Sequence, residues 1–229
     1  MKQLHHRSSG PAKDQSGFTL VELLVTMVVS GVVMAGIYTT FAAQQNSYIV
    51  QSEVAALQQN LRAAMYNLKR EIRMAGYNPA GTADAGILSA GSGTIQVSMD
   101  LTDDSGTGDP DGDVGDLDET VTYSLSDTDG DGLNDLVRQT GGTAVMAAEH
   151  IDALNFEYLD GNGAVTGVPD NIRSVQITVV ARTGKPIRGY SNSATYRNQR
   201  GDTVYQAPGD SYRRNALTAQ VKCRNLGLE

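Results

Sequence analysis

Gly17-Phe18-Thr19-Leu20-Val21-Glu22-Leu23-Leu24-Val25 opens an apolar run that continues to Ala43 with Glu22 as its only charged side chain. As a helix at about 1.5 Å per residue, Phe18 to Ala43 reaches roughly 39 Å, enough to cross a hydrocarbon core about 30 Å thick. A carboxylate at the centre of a membrane helix costs about 2.5 to 3.5 kcal/mol on insertion scales. Glu22 therefore marks a residue with a task.

Beyond the run the helical period persists. Val50, Val54, Leu57, Leu61, Ala64 or Met65, Leu68, Ile72 and Ala75 recur at three- and four-residue steps, with Gln, Lys and Arg on the other faces. No proline interrupts Phe18 to Ala75, and Gly76-Tyr77-Asn78-Pro79 supplies the terminator, glycine first and proline just beyond. The pattern predicts one helix roughly 88 Å long, a membrane and filament stem over residues 18–43 continued by residues 44–76, whose apolar face packs on a sheet. Gly31 and Gly36 are weak points in the stem, each about 1 kcal/mol poorer than alanine in a helix interior; local melting and close helix packing are their two readings.

After Pro79 the composition turns to Gly, Ala, Ser and Thr and then to short β-type runs. Predicted strands are Thr94–Met99, Thr120–Leu125, Asp135–Thr140, Thr143–Ala147, Ile151–Leu159, Ile172–Arg182 and Ala216–Cys223. Alternation is clearest at Leu154, Phe156, Tyr158 and at Val175, Ile177, Val179. Gly141-Gly142 reads as a two-residue hairpin turn and Asp160-Gly161-Asn162-Gly163 as another reversal. The fold class is α+β, a long N-terminal helix on an antiparallel β-sheet domain over residues 77–229. Gly184 to Tyr212, with two prolines and four tyrosines, reads as a long functional or partly mobile loop, its tyrosines suited to packing on their own domain or to subunit contact.

The chain has 18 basic and 26 acidic residues; without Met1 to Gly17 the balance is 15 against 25, or -10. That excludes a general nucleic-acid binder, whose affinity rests on Lys and Arg neutralising phosphates. Asp100 to Asp135 holds 13 acidic residues and no basic one, whereas Arg173 to Arg224 holds ten basic and two acidic. Such a domain is electrically two-ended, neutralised within itself or complementary between stacked copies. Cys223 is the single cysteine, so no intrachain disulfide staples the loops.

Asp127-Thr128-Asp129-Gly130-Asp131-Gly132-Leu133-Asn134-Asp135 places carboxylates at positions one, three, five and nine with glycine at six, the front half of a calcium loop. Calcium suits this set because it takes six to eight hard oxygens in flexible geometry. Position twelve, where an EF-hand has a bidentate Glu, is Arg138, so the loop is not an EF-hand. Asp127, Asp129, Asp131 and Asp135 are the candidate ligands. A second run, Asp109 to Asp118, repeats the alternation with Val114 where the glycine would stand. His5 and His6 precede the apolar run, His150 stands alone, and no nucleophile dyad, Walker loop, dinucleotide fingerprint or zinc set is present. The chain is not read as an enzyme.

The head of the chain resembles the type IV prepilin signature: a short basic leader with Lys2, Arg7 and Lys13, then Gly17, then Phe-Thr-Leu-Val-Glu. The leader has no apolar core of its own, unlike a secretory signal peptide. The resemblance implies cleavage between Gly17 and Phe18 by prepilin peptidase, N-methylation of Phe18, and a Glu22 carboxylate that meets the N-terminal amine of a neighbouring subunit. It implies an inner-membrane chain with a single pass, its head outside the cytoplasm in line with the positive-inside bias. The helix end Arg73-Met74-Ala75-Gly76-Tyr77, the Tyr123-to-Arg138 hairpin, the Leu154-to-Tyr158 strand, Tyr212-Arg213-Arg214 and Arg224-Asn225 look like the PilW type of minor pilin. That implies a structural subunit that joins other minor and major pilins and the inner-membrane assembly platform in priming a type IV pilus, at the tip and then the cell surface. Alternatives are a minor pseudopilin of type II secretion, with the same head, and a membrane-anchored calcium-dependent adhesion module.

Overall fold

The computed structural model describes residues 17–106 and 108–227; residues 1–16, which hold nearly all of the proposed leader, lie outside the described residues. The chain divides into two compact units, residues 1–49 and 50–229. One helix, α1 (Leu20–Met74), contributes to both.

In the first unit α1 is unbroken through Gly31 and Gly36, and nearly all of its side chains are exposed. Thr39 and Thr40 hydroxyls both donate to the Gly36 carbonyl, at 2.9 and 3.0 Å, reinforcing the turn that follows the glycine. This helix is long and apolar enough to cross a membrane.

In the second unit α1 buries Leu57, Leu61, Ala64, Met65, Leu68 and Ile72, the predicted stripe. Val50 and Val54, predicted on that face, are only half-buried, so the seam begins at Leu57. Glu71, also buried, is the one charged residue in the seam. The helix ends as the glycine-proline punctuation requires: Gly76 takes φ +78, the left-handed geometry that favours glycine, and its N–H donates to the Ser98 carbonyl at 3.0 Å.

Among the described residues the strands form three antiparallel sheets, of five, three and two strands. Five consecutive strands make a meander: β1 (Ile87–Ala90), β2 (Ile95–Ser98), β3 (Thr120–Ser126), β4 (Asp135–Thr140) and β5 (Thr143–Ala148). The β4–β5 turn is Gly141-Gly142, with φ +52 and +77, the paired left-handed residues of the tightest hairpin. Between β5 and β6 (Ile151–Leu159) the backbone turns at His150, whose φ of +55 is unusual for a side chain with a Cβ. That turn starts the second sheet, in which β7 (Ser174–Arg182) lies between β6 and β10 (Arg214–Lys222). Ile95, Val97, Val121, Tyr123 and Leu136 from the first sheet meet Leu154, Phe156, Tyr158, Val175, Ile177 and Val179 from the second in one core with the helix stripe.

Three short strands escape the sequence patterns. Strand β1 has four residues, too few for alternation to register. Within Gly184 to Tyr212, expected to be a loop, β8 (Thr195–Arg197) and β9 (Thr203–Gln206) form a hairpin, and β9 contacts β6. Tyrosines of this segment are used internally: the Arg182 guanidinium sits 4.7 Å from the Tyr212 ring centre, Arg213 5.1 Å from Tyr190 and Arg214 5.3 Å from Tyr205. The strand expected from Ile172 begins at Ser174, because a 3-10 turn at Pro169–Asn171 precedes it.

Candidate assembly and cation-binding sites

Gly17, Phe18 and Thr19 precede the first helical residue, Leu20. A Cβ on Gly17 would meet nothing within 4 Å, and its φ is not left-handed, so the described conformation places no steric demand for glycine there. Phe18 is 80% exposed. Thr19 caps the helix: its Oγ1 accepts the Glu22 N–H at 3.3 Å and its carbonyl accepts Leu23 N–H at 3.2 Å. Glu22 thus stands at the third helical position of a Thr-x-x-Glu sequence, the spacing of a capping box, and an acidic group in the first turn complements the helix dipole. In the sequence this cap shows only as the Thr19-x-x-Glu22 spacing, beside the more conspicuous charge of Glu22.

The Asp127 loop joins β3 to β4. Ligand oxygens of Asp127, Asp129 and Asp135 all lie within 4.8 Å of one another, which is about the widest separation two oxygens can have on one calcium ion at 2.3 to 2.6 Å. Asp131, the fourth candidate, is not in that trio; one oxygen accepts the Leu133 N–H at 2.8 Å and the other lies 3.3 Å from Nε2 of His150. The loop's own backbone occupies many of the acceptors. Asp127 takes N–H donors from Gly130 at 2.8 Å and Gly132 at 3.0 Å, and Asp135, nearly inaccessible, takes the Thr128 hydroxyl at 2.9 Å and the His150 N–H at 3.1 Å. His150 therefore holds this loop against the turn that starts the second sheet.

A second acidic group lies between β2 and β3; it takes Asp111, Asp113 and Asp116 from the Asp109-to-Asp118 run and adds Asp104 and Glu119 from outside it. Ligand oxygens of Asp104, Asp111 and Asp116 form one trio within 4.8 Å, and those of Asp113, Asp116 and Glu119 another. Glu119 is fully buried and accepts the N–H groups of Leu101 at 2.7 Å, Thr102 at 3.0 Å and Asp116 at 3.1 Å. Burial and the neighbouring Glu119 carboxylate push both Asp100 and Asp116 above the ordinary carboxylate range.

Cys223, the single cysteine, is buried, and burial pushes its thiol up to about 12. It is a packing residue, not a reactive one.

The comparisons bear on the N-terminal segment. The prokaryotic N-terminal methylation motif matches residues 12–38, spanning the Gly17–Phe18 junction, Thr19, Glu22 and the apolar helix. The chain is type IV prepilin-like at its head. Among solved structures the prepilin-like chain is similar to a type IV-like pilin from Thermus thermophilus, with 17% identity over 74% of this chain and 96% of that one and a TM-score of 0.47. A comparison with the curated proteins gave no match.

Proposed function

We propose that this prepilin-like chain is a structural minor pilin of the PilW type, which joins other pilins in a complex that primes assembly of a type IV pilus. The observation that carries this reading is the methylation motif at residues 12–38, set at the start of a helix that exposes residues 20–41 with Glu22 as their only charge. Prepilin peptidase cuts between Gly17 and Phe18, the new amine at Phe18 is methylated, residues 18–43 hold the chain in the inner membrane with its head outside the cytoplasm, and the same apolar surface later packs against neighbouring stems. Glu22 meets the N-terminal amine of a neighbour. A charge pair in low dielectric is favoured only in good geometry, so it sets register as much as strength.

In the head, Asp127, Asp129 and Asp135 bind calcium between β3 and β4, with Asp131 on the rim beside His150. Their convergence supports this. The test of the main reading is crosslinking in the native host, with photoreactive residues placed in the exposed stem, combined with deletion of the gene. Crosslinks to other pilins and loss of surface pili on deletion support the minor-pilin role. Intact pili with loss of protein secretion would overturn it.

A further inference from the structure

Asp100 follows β2, directly beyond Met99, and is fully closed off from solvent, with neither carboxylate oxygen in a hydrogen bond. A buried carboxylate without partners is strongly disfavoured unless it loses its charge or gains a cation. Its surroundings sharpen the problem. The charges of Glu119 and Asp111 bear on it, and the backbone N–H groups of Asp111 and Gly112 lie near it without reaching hydrogen-bond geometry. Asp100 therefore faces the Asp111–Gly112 turn, the same turn whose Asp111 belongs to the trio with Asp104 and Asp116. One oxygen of Asp116 is likewise buried and without a partner. Among the described residues none of these carboxylates forms an ion pair with Lys, Arg or His.

We infer that Asp104, Asp111 and Asp116 bind a calcium ion between β2 and β3, whose charge also answers the buried, unpaired Asp100 beside the Asp111–Gly112 turn, at a site separate from the Asp127 loop. The donor set is all oxygen, and the carboxylate spacing matches one ion's coordination sphere, which suits a hard cation of flexible geometry. Magnesium, smaller and strict about octahedral geometry, fits a loose group of carboxylates on a long connection less well. The ion supplies the positive charge that the sequence omits from Asp100 to Asp135. It also ties the long connection to the end of α1, since Asp100 N–H donates to the Tyr77 carbonyl at 2.8 Å and the Thr82 hydroxyl donates to the Gly112 carbonyl at 3.1 Å. This site does not depend on the pilus role.

The full chain in detergent, stripped of metal with chelator, is dialysed against radioactive calcium and melted with and without 1 mM (about ambient) calcium. Wild type is expected to gain about 3 to 6 °C in Tm from the ion. Asp116→Asn is expected to bind one ion fewer than wild type and to lose that gain. Asp100→Asn, which removes the unpaired charge beside the ion, is expected to show a smaller calcium response while melting higher than wild type in chelator. Asp127→Asn, measured in parallel, reports on the other loop and is expected to leave this ion in place. Equal stoichiometry and equal calcium response in wild type and Asp116→Asn overturn the inference, as does a wild-type chain that binds no calcium. If Asp100→Asn does not fold, the Asp116→Asn stoichiometry decides.

Discussion

Arg138 on β4 places Nε 2.8 Å from Oε1 of Glu71 on α1, and Nη1 of the same guanidinium 2.9 Å from Oδ1 of Asp118. Glu71 is the charged residue within the helix stripe, and Arg138 is the residue that stands where an EF-hand would have its last ligand. The two are linked by packing: the arginine that removes the calcium-loop glutamate is the group that neutralises the buried glutamate. Beside them Tyr123 is fully buried, and burial together with the Glu71 charge raises its phenol far above its usual value, so it stays neutral.

Breaking this pair from one side leaves the buried Glu71 with only the solvent-exposed Arg70 guanidinium, 3.1 Å from the same oxygen. Arg138→Ala is expected to lower unfolding free energy by about 2 to 3 kcal/mol, below the full cost of a completely buried pair because the arginine is partly solvated. The double variant Glu71→Met with Arg138→Met is expected to be more stable than Arg138→Ala. Urea unfolding in detergent measures both. A near-zero effect of Arg138→Ala would show that Glu71 finds another partner or a proton.

Gly76 closes α1 in a left-handed conformation, and a Cβ there would come within 2.3 Å of the Leu226 side chain. Gly76→Ala is therefore expected to cost about 1 to 2 kcal/mol from backbone strain, with the Leu226 contact added to it. A matched change at Gly31, where a Cβ meets nothing and the helix is regular, is expected not to destabilise the chain. Thermal melts of the two variants separate a required glycine from a tolerated one.

Arg214 is buried between Asp152 and Asp210, and its Nη2 lies 2.6 Å from Oδ2 of Asp210. That hydrogen bond, aided by the Tyr212 N–H, holds the Asp210 carboxyl below the usual carboxylate range. In the unfolded chain Asp210 takes up its proton at higher pH than in the folded chain, so the pair's stabilisation is complete above about pH 4 and is lost as pH falls through the depressed folded value. Melting points from pH 7 to pH 2.5 are expected to drop more steeply for wild type than for Asp210→Asn, which starts lower at pH 7. Parallel curves would show that Asp210 has no part in the acid response.

Much of the fold was legible because it rests on strong periods. The helix stripe from Leu57 to Ala75, the strands Asp135–Thr140 and Ile151–Leu159, and the Gly141-Gly142 turn follow from spacing and from glycine's freedom at positive φ. What stayed hidden has physical reasons. Separation of the first sheet from the second falls at the turn at His150, whose left-handed backbone no local pattern announces. The β8–β9 hairpin is tied to the rest of the head by contacts far apart in sequence, Asn198 with Asn155 and Arg200 with Glu157, so its own composition still reads as a loop. Of the four aspartates nominated for calcium, three converge and Asp131 leans instead toward His150. Asp100 was invisible as a neighbour of the acidic group because β2 and the loop after it bring it beside residues more than ten positions away.

Glu22 has two separable properties, its place in the first turn behind the Thr19 cap and its charge. Glu22→Gln keeps the Thr-x-x-Gln capping spacing and removes the charge, whereas Glu22→Ala removes both. If the carboxylate meets a neighbour's amine, both variants are expected to be cut by the peptidase and both to be lost from filaments. Normal incorporation of Glu22→Gln, followed by immunoblotting of sheared pili, would assign Glu22 to the helix start alone.

The most direct test of the prepilin reading is the intact mass of the chain purified from host membranes with active prepilin peptidase. The expected species begins at Phe18, lacks Met1 to Gly17 and carries one methyl group on its N-terminal amine, while Gly17→Val, which nothing in the described conformation disfavours sterically, keeps the whole leader. A wild-type chain that retains Met1 to Gly17, or a Gly17→Val chain that is trimmed as wild type is, would contradict it.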